Sequence, residues 1–151
     1  MAIMPDRINI DKKDRELYRK LDTEEFLKFK DSGGERTRKE QFLLAMAIGF
    51  KNNMKCSLNN KEGFFLIKDL LPKDEALINA IAINDHNSVE ILADIAEVYK
   101  IAEEYAHAGV KLLVDKIGSI EFGKFEKIFE QEIYEKYYVG FKNGKQKNTF
   151  N

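Results

Sequence analysis

The chain reads as a mainly α protein, a helical bundle with a short N-terminal strand and one long central helix. Three observations predict this. Arg7-Ile8-Asn9-Ile10 alternates polar and apolar residues as a half-buried strand does. Ile91, Ile95, Val98, Ala102, Tyr105, Gly109 and Leu112 recur at spacings of 4, 3, 4, 3, 4 and 3, the period of a helix seam. Between them, residues 1–55 run strand, helix, turn, helix. That layout is ribbon-helix-helix-like, the order of a DNA-binding unit in which two chains pair their strands.

Asp11 is placed to cap the first helix, and Asp14 lies near its positive end. Leu17, Tyr18 and Leu21 supply its apolar stripe, and Phe26, Leu27 and Phe29 continue or restart it after Asp22-Thr23-Glu24. Residues 30–35 contain Gly33-Gly34 and read as a turn. Thr37 and Glu40 form a capping box, which predicts a second helix starting at Thr37 and ending near Gly49. Phe64-Phe65-Leu66-Ile67 is a strand or a buried loop; four residues are too few for periodicity to decide, or to say whether they pair with Arg7–Ile10.

Pro72 suits the first turn of another helix. Ala76 to Ile83 is apolar on nearly every side and is expected at the centre of the core. Asn87 and Glu90 resemble a second box, opening a helix of about 27 residues that ends near Gly118. It is either the core helix of a bundle or a dimerising coiled coil. Its small residues Ala102, Ala106 and Gly109 predict that another helix packs very close. Residues 121–138 form a last, aromatic-rich helix. One helical domain is expected over residues 1–139, divided into a strand-helix-helix unit (1–55) and a bundle part (56–139). Residues 140–151 are expected to be a disordered basic tail.

Composition narrows the function classes. Hydrophobic residues make up 44% of 151, enough for a real core, and the net charge is −1. The charge is unevenly placed. Residues 1–55 hold 13 Lys/Arg against 10 Asp/Glu, and residues 56–118 hold 6 against 11. Residues 119–139 hold 3 against 5, and the tail holds 3 Lys and no acid. Basic ends around an acidic middle are compatible with nucleic acid. One cysteine, Cys56, rules out an intramolecular disulfide framework. Residues 1–20 carry acids and bases throughout, unlike a secretory leader, and no apolar run approaches a membrane span. A cytoplasmic location is expected.

In a ribbon-helix-helix reading, Arg7 and Asn9 point to base edges, and the helix start at Thr37, Arg38 and Lys39 holds a phosphate. Asp6 and Asp11 bracket the strand and count against it. In the plainer reading, Arg7–Ile10 is an edge strand and Arg36–Lys39 a solvated helix end. Glu103, Glu104 and His107 bring carboxylates near an imidazole, but on so charged a helix they are expected to face solvent. No metal site, cofactor, positioned nucleophile or Gly-rich phosphate loop is read from the sequence, so no enzyme is expected.

Several motifs together resemble a known family. They are Asp6-Arg7-Ile8-Asn9-Ile10 with Glu16-Leu17-Tyr18, then Ala45-Met46-Ala47-Ile48-Gly49-Phe50-Lys51. Ala76-Leu77-Ile78-Asn79-Ala80-Ile81-Ala82, Ile91-Leu92 and Glu103-Glu104-Tyr105-Ala106-His107-Ala108-Gly109 complete the set. Over residues 6–117 the chain resembles the DNA phosphorothioation (Dnd) system-associated protein 4 family. That family favours Asn-Gly-Gly where this chain has His107-Ala108-Gly109. The resemblance implies an accessory of a bacterial or archaeal system that replaces a DNA backbone oxygen with sulfur, or restricts unmodified DNA. It supplies no catalytic residues. The expectation is a non-enzymatic, DNA-binding accessory, with double-stranded DNA, other proteins of that system and a second copy of the chain as partners. The alternative is a helical protein-interaction module with no DNA contact.

Overall fold

The computed structural model describes residues 4–23, 34–118 and 131–135. The chain divides into two compact units, Met1–Lys116 and Ile117–Asn151. In the second, residues 131–135 are helical. The expected aromatic helix over 121–138 otherwise lies outside the described residues, as does the basic tail.

The first unit is mainly α with a short N-terminal strand. Its elements are β1 (Arg7–Asp11), α1 (Arg15–Thr23), α2 (Gly34–Lys51), β2 (Lys61–Leu66), α3 (Pro72–His86) and α4 (Ile95–Gly118). Short 3-10 turns precede α1, α3 and α4. No helix among the described residues is long and apolar enough to cross a membrane.

β1 and β2 form a two-stranded antiparallel ribbon within the one chain. Arg7 faces Leu66, Ile8 faces Phe65, and Asn9 to Asp11 face Gly63 to Lys61, so Phe64 is the extra residue of a bulge. Backbone bonds from Ile67 to Asp6 and from Lys12 to Asn60 continue the pairing past both ends. This corrects the ribbon-helix-helix-like start. The pairing expected from a second chain is made internally, and the outward N–H of Asn9 donates to the Glu103 carboxylate. The four-residue run at Phe64 held no period because a bulge interrupts it.

β1 alternation works as read: Ile8 and Ile10 are buried. Tyr18 and Leu21 from α1, Phe42 and Met46 from α2, and Val110 and Leu113 from α4 are buried as well and belong to the same core. Aromatic rings knit the layers. Tyr18 lies 4.6 Å from Phe64, and Phe42 meets Phe65 edge-on at 5.5 Å, between ring centres. The predicted close helix contact is present. A Cβ on Gly109 would fall 1.7 Å from the Ala45 carbonyl oxygen, and one on Gly49 would fall 2.1 Å from that of Tyr105. The backbones of α2 and α4 therefore touch, each through a residue without a side chain.

Two helix starts and the burial of α3 differ from expectation. α2 begins at Gly34, so Thr37 is already inside it; Glu40 Oε2 is buried with no hydrogen-bond partner among the described residues, rather than reaching back to a cap. Glu35 and Arg36 are good helix formers, which extends the helix ahead of the start signal at Thr37. α4 begins at Ile95. Asn87 ends α3 in the left-handed conformation (φ 62°), Ser88 caps a 3-10 turn over Val89–Ala93, and Asp94 accepts from the Glu97 amide to start α4. α3 is one-sided rather than central. Asp74, Ile78, Ile81 and Ala82 are buried, whereas Ala76, Leu77 and Ala80 are exposed.

Candidate functional site

The ribbon concentrates exposed positive charge. Arg7, Lys12, Lys13, Lys61 and Lys68 are exposed along β1, β2 and the turns that continue them. Arg38 joins them from α2: its guanidinium sits 5.4 Å over the Phe64 ring and donates to the Phe64 carbonyl at 3.3 Å. The Arg7 side chain lies across Gly63, where any Cβ would come within 3.0 Å of its Cδ. Neighbouring residues of β2 thus carry both arginines.

The acids along the ribbon are largely withdrawn. Asp11 is fully buried. Its carboxylate accepts from the backbone N–H groups of Lys13, Asn59 and Asn60 at 3.0, 2.9 and 3.4 Å. The Lys13 amide does most to hold this carboxyl below the usual range, and it outweighs the opposing push of burial. Glu62 is half-buried and paired with Arg15 at 2.9 Å. Asp6 remains exposed.

The predicted contact residues fall into separate places. Arg7 and Arg38 are both exposed, one across Gly63 and the other over the Phe64 ring. Asn9 is half-buried, and its backbone N–H donates to the Glu103 carboxylate. Lys39 is 7% exposed, and its Nζ lies 2.9 Å from Asp74 Oδ2 and 3.4 Å from the Asp69 carbonyl. It is neither at a helix start nor free to hold a phosphate. The Thr37 side chain lies outside the described residues.

A buried polar cluster brings together residues that the sequence reading sent outward. Glu103 and His107 face the interior, 5% and 7% exposed. The His107 Nδ1 is hydrogen-bonded to Asp14 Oδ2, which fastens the turn before α1 onto α4. Asp14 Oδ1 and the Tyr18 hydroxyl are buried with no hydrogen-bond partner among the described residues. Burial raises the Asp14 carboxyl above its ordinary value, partly offset by His107. Burial also pushes the Tyr18 hydroxyl well up, helped by the charge of Asp14. A His–Asp pair can pass a proton, but this one is closed off and braces the fold. A signal was present: Glu103, His107 and Val110 lie at i, i+4 and i+7, one stripe of α4. Among the described residues, no three His, Cys, Asp or Glu side chains are grouped to hold a metal ion.

Glu103 closes the free edge of β1 at a cost that pH reveals. Burial raises its carboxyl above the ordinary 4.5, against the pull of the Asn9 hydrogen bonds. The folded chain thus takes up this proton more readily than the unfolded chain. The ionised group costs stability at neutral pH, and that cost fades as pH falls through the raised folded value. Glu103→Ala is expected to lose about 1–3 kcal/mol, because the Asn9 N–H is left unsatisfied. Glu103→Gln keeps an acceptor without the charge and is expected to stay within about 1 kcal/mol. Urea unfolding at neutral and mildly acidic pH checks both: the Gln variant should lose this group's gain on acidification.

The comparison with protein families is decisive for descent. The family model described as DNA sulphur modification system-associated protein 4 matches residues 7–136. The chain belongs to that family. The family's description indicates association with such a system, and the match begins at the first residue of β1 and takes in every described helix of the first unit. No curated protein and no solved structure matches this family member.

Proposed function

We propose that this protein is a non-enzymatic accessory of a DNA phosphorothioation modification and restriction system that touches duplex DNA through its β1–β2 ribbon. One observation carries the reading. Asp11 is buried and Glu62 is paired, so Arg7, Arg38, Lys12, Lys13, Lys61 and Lys68 present their charge with Asp6 as the exposed acid among them. Cations on a stiff ribbon suit phosphate oxygens. Base reading has less support, since Asn9 is half-buried and held against Glu103 through its backbone N–H. The contact is therefore independent of sequence and sensitive to salt.

The test is binding of a labelled random duplex across a salt series. Affinity should fall steeply with salt, and changing Arg7 and Arg38 to Ala should lower the log–log slope by about 2, roughly 0.9 for each lost phosphate contact. Absence of binding at low salt would overturn the reading. Light scattering on the same sample reports the assembly state; a homodimer would have to form elsewhere than along β1.

A further inference from the structure

A groove on the first unit has the opposite character to the ribbon. It encloses about 380 Å3 and is floored by Met4, Ile67, Leu92, Ile95, Val98 and Tyr99. Met4, Leu92 and Ile95 are 67%, 37% and 38% exposed. A second hollow of about 420 Å3 shares Met4, Pro5 and Ile95 with it, so the two adjoin. Among the described residues, the carboxylates lining them are Glu75 in the first and Glu90 and Asp94 in the second, and neither lining contains a Lys or Arg.

We propose that this groove docks a cationic amphipathic helix of another polypeptide. The apolar floor suits the i, i+3, i+4 and i+7 anchors of a helix laid into a groove. The three carboxylates match Lys or Arg on the flanks of that helix, and such complementarity sets partner choice and orientation. They also repel a phosphate backbone or an anionic membrane surface. The groove therefore serves a protein partner and the ribbon serves DNA, and the two readings stand independently.

Two labelled synthetic helical peptides probe it: one built of Leu and Lys in an amphipathic pattern, and the same pattern with Glu for Lys. The full-length protein is titrated into each, and anisotropy is read at low salt. Saturable binding of the Leu/Lys peptide and none of the Leu/Glu peptide is expected. Leu92→Asp and Ile95→Asp alter exposed positions and should weaken binding about tenfold or more, with circular dichroism unchanged. The charge reversal Glu75→Lys with Glu90→Lys should transfer preference to the Leu/Glu peptide. Equal binding of both peptides, or indifference to these substitutions, overturns the proposal. So does a self-associated protein that Leu92→Asp renders monomeric, since the groove would then be occupied by a second copy.

Discussion

Gly109→Ala is expected to destabilise the fold by about 3 kcal/mol or more, the upper end of overpacking effects. The added methyl would meet the Ala45 carbonyl oxygen at 1.7 Å, the Gly49 nitrogen at 2.7 Å and the Ala45 carbonyl carbon at 2.8 Å. All three are backbone atoms, so no side chain can turn aside, and α2 and α4 must move apart. That separation loosens Phe42, Met46, Tyr105 and Val110 together, all of them buried. For a chain of this size the loss corresponds to a fall in Tm of roughly 10 °C. Gly49→Ala meets the Tyr105 carbonyl oxygen at 2.1 Å and should behave alike. Once one methyl has parted the helices, the second costs little, so the double variant should fall well short of the sum. Thermal and urea unfolding of the three variants measures this; a loss under about 1 kcal/mol in Gly109→Ala would show that the helices do not cross there.

Lys39→Ala is expected to cost about 3–5 kcal/mol, the range found when one partner of a buried ion pair is removed. Lys39 and Asp74 are each 7% exposed and 2.9 Å apart. Asp74 also accepts from the Leu71 amide at the head of α3, so the pair ties α2 to that helix start. Burial pushes the Asp74 carboxyl up, but the hydrogen bonds from Lys39 and Leu71 prevail and hold it below its ordinary value. A lowered folded value means that the stabilisation is present above the unfolded value and is lost as pH falls through the folded one. The gap between wild type and Lys39→Ala should therefore narrow in acid. Lys39→Met combined with Asp74→Asn removes both charges and should be less damaging than Lys39→Met alone. A double-mutant cycle in urea reads the coupling directly, and purely additive effects would refute it.

The features legible in the sequence were those with a local cause. β1 alternation, Pro72 at the head of α3 and the small residues of α4 each follow from spacing or from backbone geometry. The coarse family could be read as well, through motifs made largely of packing residues. What was not legible depended on distant partners. The β1–β2 pairing joins segments far apart in sequence, and a bulge at Phe64 hides the period of β2. Lys39 looks like a solvated helix start until Asp74 arrives from another helix. Glu103 and His107 look like solvent-facing charges until Asn9 and Asp14 cover them. Capping signals also competed: Asn87 and Glu90 suggested one long helix, whereas Ser88 caps a 3-10 turn and Asp94 caps α4. Of the proposed DNA contacts, Arg7 and Arg38 keep surface positions, as their charge alone suggests.

The Asp14–His107 link spans 93 residues. During synthesis at about 5–20 residues per second, the ribosome needs roughly 5 to 20 s to deliver the second residue after the first. Over that interval β1 has emerged with Ile8 and Ile10 uncovered, and until β2 follows it lacks its strand partner as well. The growing chain thus carries an unpaired, apolar strand through the stretch of synthesis that separates Asp11 from Leu66.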